Sequence, residues 1–485
     1  MLFNSYLFLF VFLPVVMAGY FLLGRFSRCS RLANIWLMLA SLCFYGYWDV
    51  HYLPLLVGSI LVNYLLGWGI LRADAAHRQK LSHDIFWLGI AGNIALLSFY
   101  KYLDFFFSSI DMAFGAHIPL LHLVLPLGIS FFTITQILAL IDCRAGIVKE
   151  HNFFDYALFV SFFPHLMAGP ILFHADMMSQ FQNARLRRLD FSNLTPGFCL
   201  FILGLAKKII IADSFIQPVA WGFANATGLD FWQGWQVVLC YMMELYFDFS
   251  GYSDMAVGLA RMMNLSIPIN FNQPFRAVSL SNFWQRWHIS LTNALFVALY
   301  QPIIRSFKNV RFCHTLLAAS VTFFIVGIWH GAGWTFVVFA LLQSAGIVIN
   351  QCWKHFRLPM RRPIARALTL LFVAVSFVFF RAPDLLTAKA VLGAMCGRHG
   401  FHLPEAIAYE IQPYLSDPLS VSTLLPDLPL RILFFALIAV VFLPDSNRII
   451  KRFQPKWHVA LVFAALFVYS VLELTHESLF LYFQF

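Results

Sequence analysis

The chain has 485 residues, of which 60% are hydrophobic and 12% are charged. A soluble protein would carry about 25% charged residues, so the composition excludes a soluble globular protein and indicates a multi-pass membrane protein. The formal net charge is +10, but the basic residues lie in short loops between apolar runs. That distribution is typical of cytoplasmic loops, so we expect membrane lipids and no nucleic acid as partners.

No long polar stretch divides the chain, so residues 1–485 are predicted to form one all-α membrane domain. The eight cysteines lie mostly inside apolar runs, without C-x-x-C or Cys/His ligand spacing. We therefore predict neither a disulfide framework nor a metal site, and no bound cofactor.

The first apolar run, residues 3–24, is predicted to be a transmembrane helix. It has no basic region before it and no small-residue cleavage site, and Arg25, Arg28 and Arg31 follow it, which argues against a signal peptide. The basic loop places the N-terminus outside the cytoplasm. Further apolar runs predict crossings at residues 32–48, 53–71, 85–103 and 119–141.

Residues 153–173 are predicted to re-enter the membrane rather than span it, because Pro164 and Pro170 interrupt the run and both flanks are basic. Residues 197–217 and 231–260 are predicted to cross next. The first carries Lys207 and Lys208, and the second carries Glu244, Asp248 and Asp254. Two interpretations stay open, in which these carboxylates line a polar path or neutralise the two lysines.

The apolar insert 289–304 has basic flanks and is predicted as a second re-entrant segment. The most basic loop, 354–366, is expected in the cytoplasm and the polar loop 398–428 outside. Later apolar runs at residues 313–328, 333–351, 367–380, 385–396, 430–443 and 457–473 complete about 11 spans and leave the C-terminus periplasmic.

Two histidines stand out, because each is flanked by tryptophan inside apolar sequence. His288 ends FWQRWH at 283–288, and His330 lies in WHGAGW at 329–334. An ionisable residue at bilayer depth indicates a functional site, and burial favours the neutral imidazole that a general base requires. The alternative is that each ring donates to a backbone carbonyl and packs among aromatic side chains.

A series of motifs runs along nearly the whole chain. The motifs are FNS at 3–5, FLF at 8–10, ASLCFYGYW at 40–48, LPLGISFF at 125–132, FPHLMAGPI at 163–171, DFSGYSD at 248–254, NF at 270–271, FWQRWHISL at 283–291 and WHG at 329–331. This ordered series resembles the membrane-bound O-acyltransferase (MBOAT) family, in its bacterial branch that acetylates exopolysaccharides of the alginate or cellulose type.

The resemblance implies a helical core around a central tunnel, with His330 as the catalytic histidine and His288 as the second histidine of the site. Relatives usually continue the His288 motif with an Arg-Asp pair, where this chain has LFVA at 295–298. That departure bears on how the cytoplasmic end of the tunnel is braced and which donor docks there.

The C-terminal sequence FLYFQF at 480–485 resembles an aromatic motif of this branch, in which the tyrosine is proposed to accept the acyl group. Tyr482 is therefore a candidate acyl acceptor. The alternative is an aromatic belt at the membrane interface.

The sequence thus predicts an inner-membrane O-acyltransferase that moves an acyl group, acetyl by preference, from a cytoplasmic thioester such as acetyl-CoA towards a polysaccharide outside. Four basic residues are expected to attract the donor's phosphates, and a periplasmic acetyltransferase or esterase-like partner to complete the transfer. The alternatives are a lipid, teichoic-acid-type or protein acceptor, or a non-catalytic transporter or scaffold. The candidate donor-binding residues are Arg286, Arg305, Lys308 and Arg311.

Overall fold

Helices account for most of the chain in a computed structural model that describes residues 1–25, 30–148, 151–404, 421–422, 424–425, 428–474 and 480–481. The all-α prediction is confirmed. The only strands in that part of the chain are Leu403–Pro404 and Val421–Ser422, which pair in parallel. The described helices are numbered in chain order below.

The N-terminal half contains α1 (Leu13–Gly24), α2 (Ser30–Gly46), α3 (Leu53–Ala75), α4 (Gln79–Lys101), α5 (Leu103–Phe114), α6 (Ile129–Arg144), α7 (Phe153–Ser161), α8 (Phe163–Leu166), α9 (His174–Phe181), α10 (Phe191–Ala206), α11 (Ile216–Ala224) and α12 (Phe231–Met262). Shorter π and 3₁₀ segments flank them at Phe8–Phe12, Val50–Tyr52, Ala184–Arg187, Lys207–Ala212, Asp213–Phe215 and Ala226–Gly228.

The C-terminal half contains α13 (Leu280–Trp284), α14 (Ile289–Leu295), α15 (Gln301–Arg305), α16 (Phe312–His330), α17 (Trp334–His355), α18 (Arg362–Arg381), α19 (Leu385–Met395), α20 (Leu430–Phe442), α21 (Ser446–Lys451) and α22 (Trp457–Leu472). A 3₁₀ turn at Pro274–Arg276 precedes α13, and a π-helical turn at Phe296–Tyr300 joins α14 to α15.

Five helical segments in the described ranges are long and apolar enough to cross a membrane, and four shorter apolar helices accompany them. The long segments establish a multi-pass membrane protein, while the total of about 11 spans stays a prediction. The five are Val50–Ala75, Gln79–Lys101, Phe312–His330, Trp334–His355 and Arg362–Arg381.

The helix predicted at 119–141 is shorter than expected, since α6 begins only at Ile129. Pro126 disfavours helical backbone in the residue before it, and Gly128 precedes the helix with φ +73°. The break predicted in 153–173 is present. Here α7 ends at Ser161, and α8 begins at Phe163 with Pro164 in its first turn, the position that proline tolerates.

Helices α10 and α12 pack closely against each other at glycine residues. A Cβ at Gly204 would lie 2.5 Å from the carbonyl oxygen of Gly251, and one at Gly197 would lie 2.8 Å from that of Gly258. Any side chain at these positions would force the helices apart, because small residues set the closest distance between membrane helices. The contact fixes α12, and Phe249 of α12 contacts His288.

Candidate active site

His330 is the last residue of α16, and the chain changes direction immediately after it. Gly331 has extended backbone, and a Cβ there would lie 2.2 Å from the ring of Phe336. Glycine is therefore required for the ring to pack against the turn. The WHG motif thus places the histidine at the end of a helix, and the aromatic ring of Phe336 packs against the turn that follows.

His288 lies at the start of α14 with φ +47°, in the left-handed region that is uncommon for a non-glycine residue. Backbone hydrogen bonding supports this conformation, because the Ile289 N–H donates to the Asn270 carbonyl at 3.0 Å. Left-handed backbone at a non-glycine residue persists only where the surrounding structure supports it. The conformation sets the direction in which the buried His288 ring leaves the chain.

Hydrogen bonds join four of the sequence motifs near His288. The Asn270 Oδ1 accepts a hydrogen bond from Ser290 Oγ at 2.6 Å, and its amide nitrogen donates to Ser253 Oγ at 3.2 Å. The Ile171 N–H donates to Ser290 Oγ at 2.9 Å. The motifs at 163–171, 248–254, 270–271 and 283–291 are therefore parts of one hydrogen-bonded support for the histidine.

The two histidine rings lie close together, with centroids 6.4 Å apart. His288 is 0% exposed and His330 5% exposed. The ring of Phe249 meets His288 edge-on at 4.7 Å, and that of Phe380 meets His330 edge-on at 5.1 Å. A pair of imidazoles in an aromatic surround can remove a proton from a bound hydroxyl and stabilise developing charge beside it.

Lys101 and Tyr102 hold the end of α16 that carries His330. The Lys101 Nζ donates to the carbonyls of Trp329 and His330 at 2.7 and 2.9 Å, and to Ser130 Oγ at 3.4 Å. The Tyr102 hydroxyl donates to the Ile328 carbonyl at 2.9 Å. The last carbonyls of a helix have no partners within the helix, so these two side chains fix its end. Sequence reasoning missed both residues; a lysine at the end of an apolar run was the available signal.

A cavity of about 390 Å³ extends from residues on both sides of His288 in the sequence to the last turn of α17. Most of its wall is apolar, and Lys354 is its one cationic lining residue among those described. Leu295 and Phe296 line this wall, and both belong to the LFVA sequence that stands where relatives usually have an Arg-Asp pair. The lining residues are Ser281, Trp284, Gln285, Leu291, Thr292, Leu295, Phe296, Tyr300, Ala319, Thr322, Phe323, Val326, Ile347, Gln351 and Lys354.

The four predicted donor-binding residues do not line this cavity. Arg286 is partly buried, and its guanidinium donates to the Asn272 carbonyl at 3.1 Å. Arg305, Lys308 and Arg311 are exposed. They lie near the same end of the helices as Lys354, because the ring of Phe312, next to Arg311, stacks on His355 at 3.9 Å.

The lysines between α10 and α11 form ion pairs with α12 and with the 3₁₀ turn that precedes α11. Lys207 pairs with Asp254 at 2.6 Å, and Lys208 pairs with Asp248 at 2.7 Å and with Asp213 at 2.8 Å. Asp248 and Asp254 therefore fit the interpretation in which the carboxylates of α12 neutralise the two lysines. Buried charges of opposite sign offset part of each other's desolvation.

Glu244 lines a second, polar cavity of about 210 Å³. Its Oε2 is buried and accepts no hydrogen bond from the residues that the structure describes. This carboxylate therefore fits the other interpretation, a polar path. The lining residues of this cavity are Lys208, Ala212, Asp213, Ile216, Ala220, Glu244, Asp248, Arg381 and Leu481.

The candidate acyl acceptor Tyr482 lies outside the described residues. The two residues before it are described, and both are buried, with Phe480 1% exposed and Leu481 6% exposed. In the described ranges, no three His, Cys, Asp or Glu side chains are grouped so that they could hold a metal ion.

The chain belongs to the membrane-bound O-acyltransferase family, whose model matches residues 79–387. The match includes the helices that carry both histidines. The protein is therefore an O-acyltransferase, as the motifs predicted.

Curated relatives extend the similarity beyond the matched domain. The chain is 37% identical to the peptidoglycan O-acetyltransferase of Helicobacter pylori, over 100% of this chain and 98% of the relative. It is 37% identical to the probable alginate O-acetylase AlgI of Pseudomonas putida, over 84% and 82% respectively. The teichoic acid D-alanyltransferase of Bacillus subtilis is 25% identical, over 78% of this chain and 95% of the relative.

Proposed function

We propose that the protein transfers acetyl groups from a cytoplasmic thioester donor, acetyl-CoA by preference, across the inner membrane to a cell-envelope polysaccharide. The observation that carries this proposal is the buried His288–His330 pair. An apolar cavity lies among the helices that carry the two histidines, and a polar cavity is lined by Asp248 and Arg381, the chain neighbours of two rings that contact the pair. Relatives that bear the names of peptidoglycan and alginate acetylating enzymes support acetyl as the group transferred.

In the proposed reaction, a hydroxyl oxygen of the acceptor attacks the thioester carbonyl. His330 takes the hydroxyl proton as the new C–O ester bond forms, and His288 stabilises the oxyanion or orients the donor. The C–S bond then breaks, and the leaving thiolate receives the proton from His330. The products are the acetyl ester and the free thiol, and the histidines return to their neutral state.

The 390 Å³ cavity is the proposed donor site. Its volume lies within the range of about 300–1,000 Å³ that is typical of small-molecule pockets, and its apolar wall suits an acetylated pantetheine arm. Lys354 lines the cavity, and Arg305, Lys308 and Arg311 lie nearby on the surface. These charges would attract the phosphates of a donor that approaches from the cytoplasm. Arg286 would act through the loop that it holds.

The proposed acceptor is a sugar hydroxyl of a polymer outside the cytoplasmic membrane. The relative that covers the whole chain is named for peptidoglycan, which favours peptidoglycan over an exopolysaccharide of the alginate or cellulose type. We propose that Tyr482 takes the acetyl group first and that a periplasmic acetyltransferase or esterase-like partner passes it to the polymer. Both termini would then be periplasmic.

The test is the His330→Ala variant in the producing cell. We expect polymer-bound acetyl to fall by about 10²- to 10⁴-fold, the usual contribution of a general base, with the protein still in the membrane. His83→Ala removes an exposed histidine from α4 and is the matched control. Normal acetylation in the His330→Ala strain would reject catalysis and favour a scaffold. Separate acetyl analysis of peptidoglycan and of secreted polysaccharide identifies the polymer.

A further inference from the structure

The Asp248 carboxylate joins two distant parts of the chain. Its Oδ1 accepts a hydrogen bond from Lys208 Nζ at 2.7 Å, and its Oδ2 accepts one from the backbone N–H of Leu481 at 3.0 Å. One oxygen thus faces the ion pair and the other faces residues 480–481, the described part of the C-terminus, which is called the C-terminal segment below. A hydrogen bond to an ionised carboxylate is about twice as strong as a neutral one.

The two residues at this point are inside the protein and not in a surface belt. The Phe480 ring meets Tyr252 edge-on at 4.8 Å, and Lys208 Nζ lies 4.9 Å from the centre of the same ring. Phe480 belongs to the apolar core that contains Phe3, whereas Leu481 belongs to a second core that contains Phe275. The C-terminal segment therefore enters where the two cores meet.

This position is linked to the histidine pair through two aromatic residues. Asp248 directly precedes Phe249, whose ring contacts His288, and Arg381 directly follows Phe380, whose ring contacts His330. Asp248, Arg381 and Leu481 all line the polar cavity. The carboxylate that binds the C-terminal segment thus borders the polar cavity.

We propose that Asp248, held by Lys208, is a positioning residue that docks the chain's own C-terminal segment beside the histidine pair for the acceptor half of the reaction. The inference rests on the proposed function, because it assigns the segment to acyl transfer at that pair. A buried ion pair by itself contributes little net stability. The second carboxylate oxygen holds Leu481, the residue that directly precedes a candidate acyl acceptor.

The first experiment removes the N–H without changing any charge. Leu481→Pro lacks the donor, whereas Leu481→Ala keeps it and shortens the side chain. We expect Leu481→Pro to lower kcat for acetyl transfer by about 10- to 100-fold, the loss expected for a hydrogen bond to a charged group. The donor KM should stay unchanged, and Leu481→Ala should stay within about fivefold of wild type.

The second experiment removes the Asp248 carboxylate, which accepts the hydrogen bond from Leu481, and keeps the apolar packing. Lys208→Met/Asp248→Leu replaces this ion pair by apolar side chains, an exchange that proteins usually tolerate. Asp213, the other carboxylate paired with Lys208, has a side chain that is 20% exposed and can be solvated in the variant. Lys207→Met/Asp254→Leu does the same to the neighbouring 2.6 Å pair and keeps the Asp248 carboxylate that accepts the Leu481 N–H. We expect the first double variant to lose transfer like Leu481→Pro and the second to keep it within about threefold. This comparison decides the question even if Leu481→Pro does not accumulate.

Equal kcat in the two double variants, or in Leu481→Pro and Leu481→Ala, would overturn the docking role. A purely structural role would instead lower the thermal unfolding midpoint and protein level together with kcat, and that result would also overturn it. Failure of the proposed function is a separate outcome, because it would show as unchanged acetylation in the His330→Ala strain.

Discussion

Replacing Lys101 by Met tests whether the position of His330 depends on a lysine more than 200 residues away. Methionine keeps much of the side chain's length but none of its three donated hydrogen bonds, two of which reach the carbonyls of Trp329 and His330. Each buried carbonyl left without a partner costs about 1–3 kcal/mol, so the gross loss is about 2–6 kcal/mol.

Part of that loss is offset. The Lys101 ammonium has no carboxylate within ion-pair distance in the described part of the chain, and removing an unpaired charge relieves its desolvation. The Tyr102 hydroxyl still holds the Ile328 carbonyl. We expect a net destabilisation of about 1–3 kcal/mol, with α16 intact.

The effect on catalysis should exceed the effect on stability. A shift of about 1 Å in a catalytic group can cost about 10²-fold in rate, so we expect kcat of Lys101→Met to fall by about 10- to 100-fold with little change in the donor KM. Tyr102→Phe loses one neutral hydrogen bond and should fall by less than about tenfold.

The assay measures acetyl transfer to a soluble acceptor or to polymer, alongside thermal unfolding, in purified protein of equal concentration. Lys389→Met removes an exposed lysine and should match wild type. Retention of kcat within about twofold in Lys101→Met would refute the argument that these hydrogen bonds position His330.

Three further predictions concern the tail, the donor cavity and the orientation. Tyr482→Phe removes only the phenolic oxygen and should abolish polymer acetylation if Tyr482 carries the acyl group; near-normal acetylation would favour an aromatic anchor. Thr322→Trp fills the donor cavity and should raise the donor KM about tenfold or more; an unchanged KM would show that the donor binds elsewhere. Cysteine labelling should reach positions near Arg361 and Lys451 only from the cytoplasm, and periplasmic labelling there would invert the orientation.

The sequence by itself determined the class of the protein and most of its helices. Long apolar runs form helices in a membrane because every backbone polar group must be satisfied within its own segment, and this requirement is local. The run at residues 333–351 accordingly forms α17, and the interruption at Pro164 ends α7 nearby. The tryptophans around His288 and His330 marked the site because an ionisable ring in apolar sequence is costly without a function.

The tertiary structure alone decided which side chains surround that site. The bonds from Lys101 to the end of α16 join residues 228 and 229 positions apart, and the bond from Leu481 to Asp248 joins residues 233 positions apart. The same holds for the basic residues, since Lys354 lines the donor cavity while Arg305 and Arg311 lie on the surface. Hydropathy and spacing describe neighbours along the chain, whereas a hydrogen bond depends on a separation of about 3 Å in space, which is set by how the helices pack.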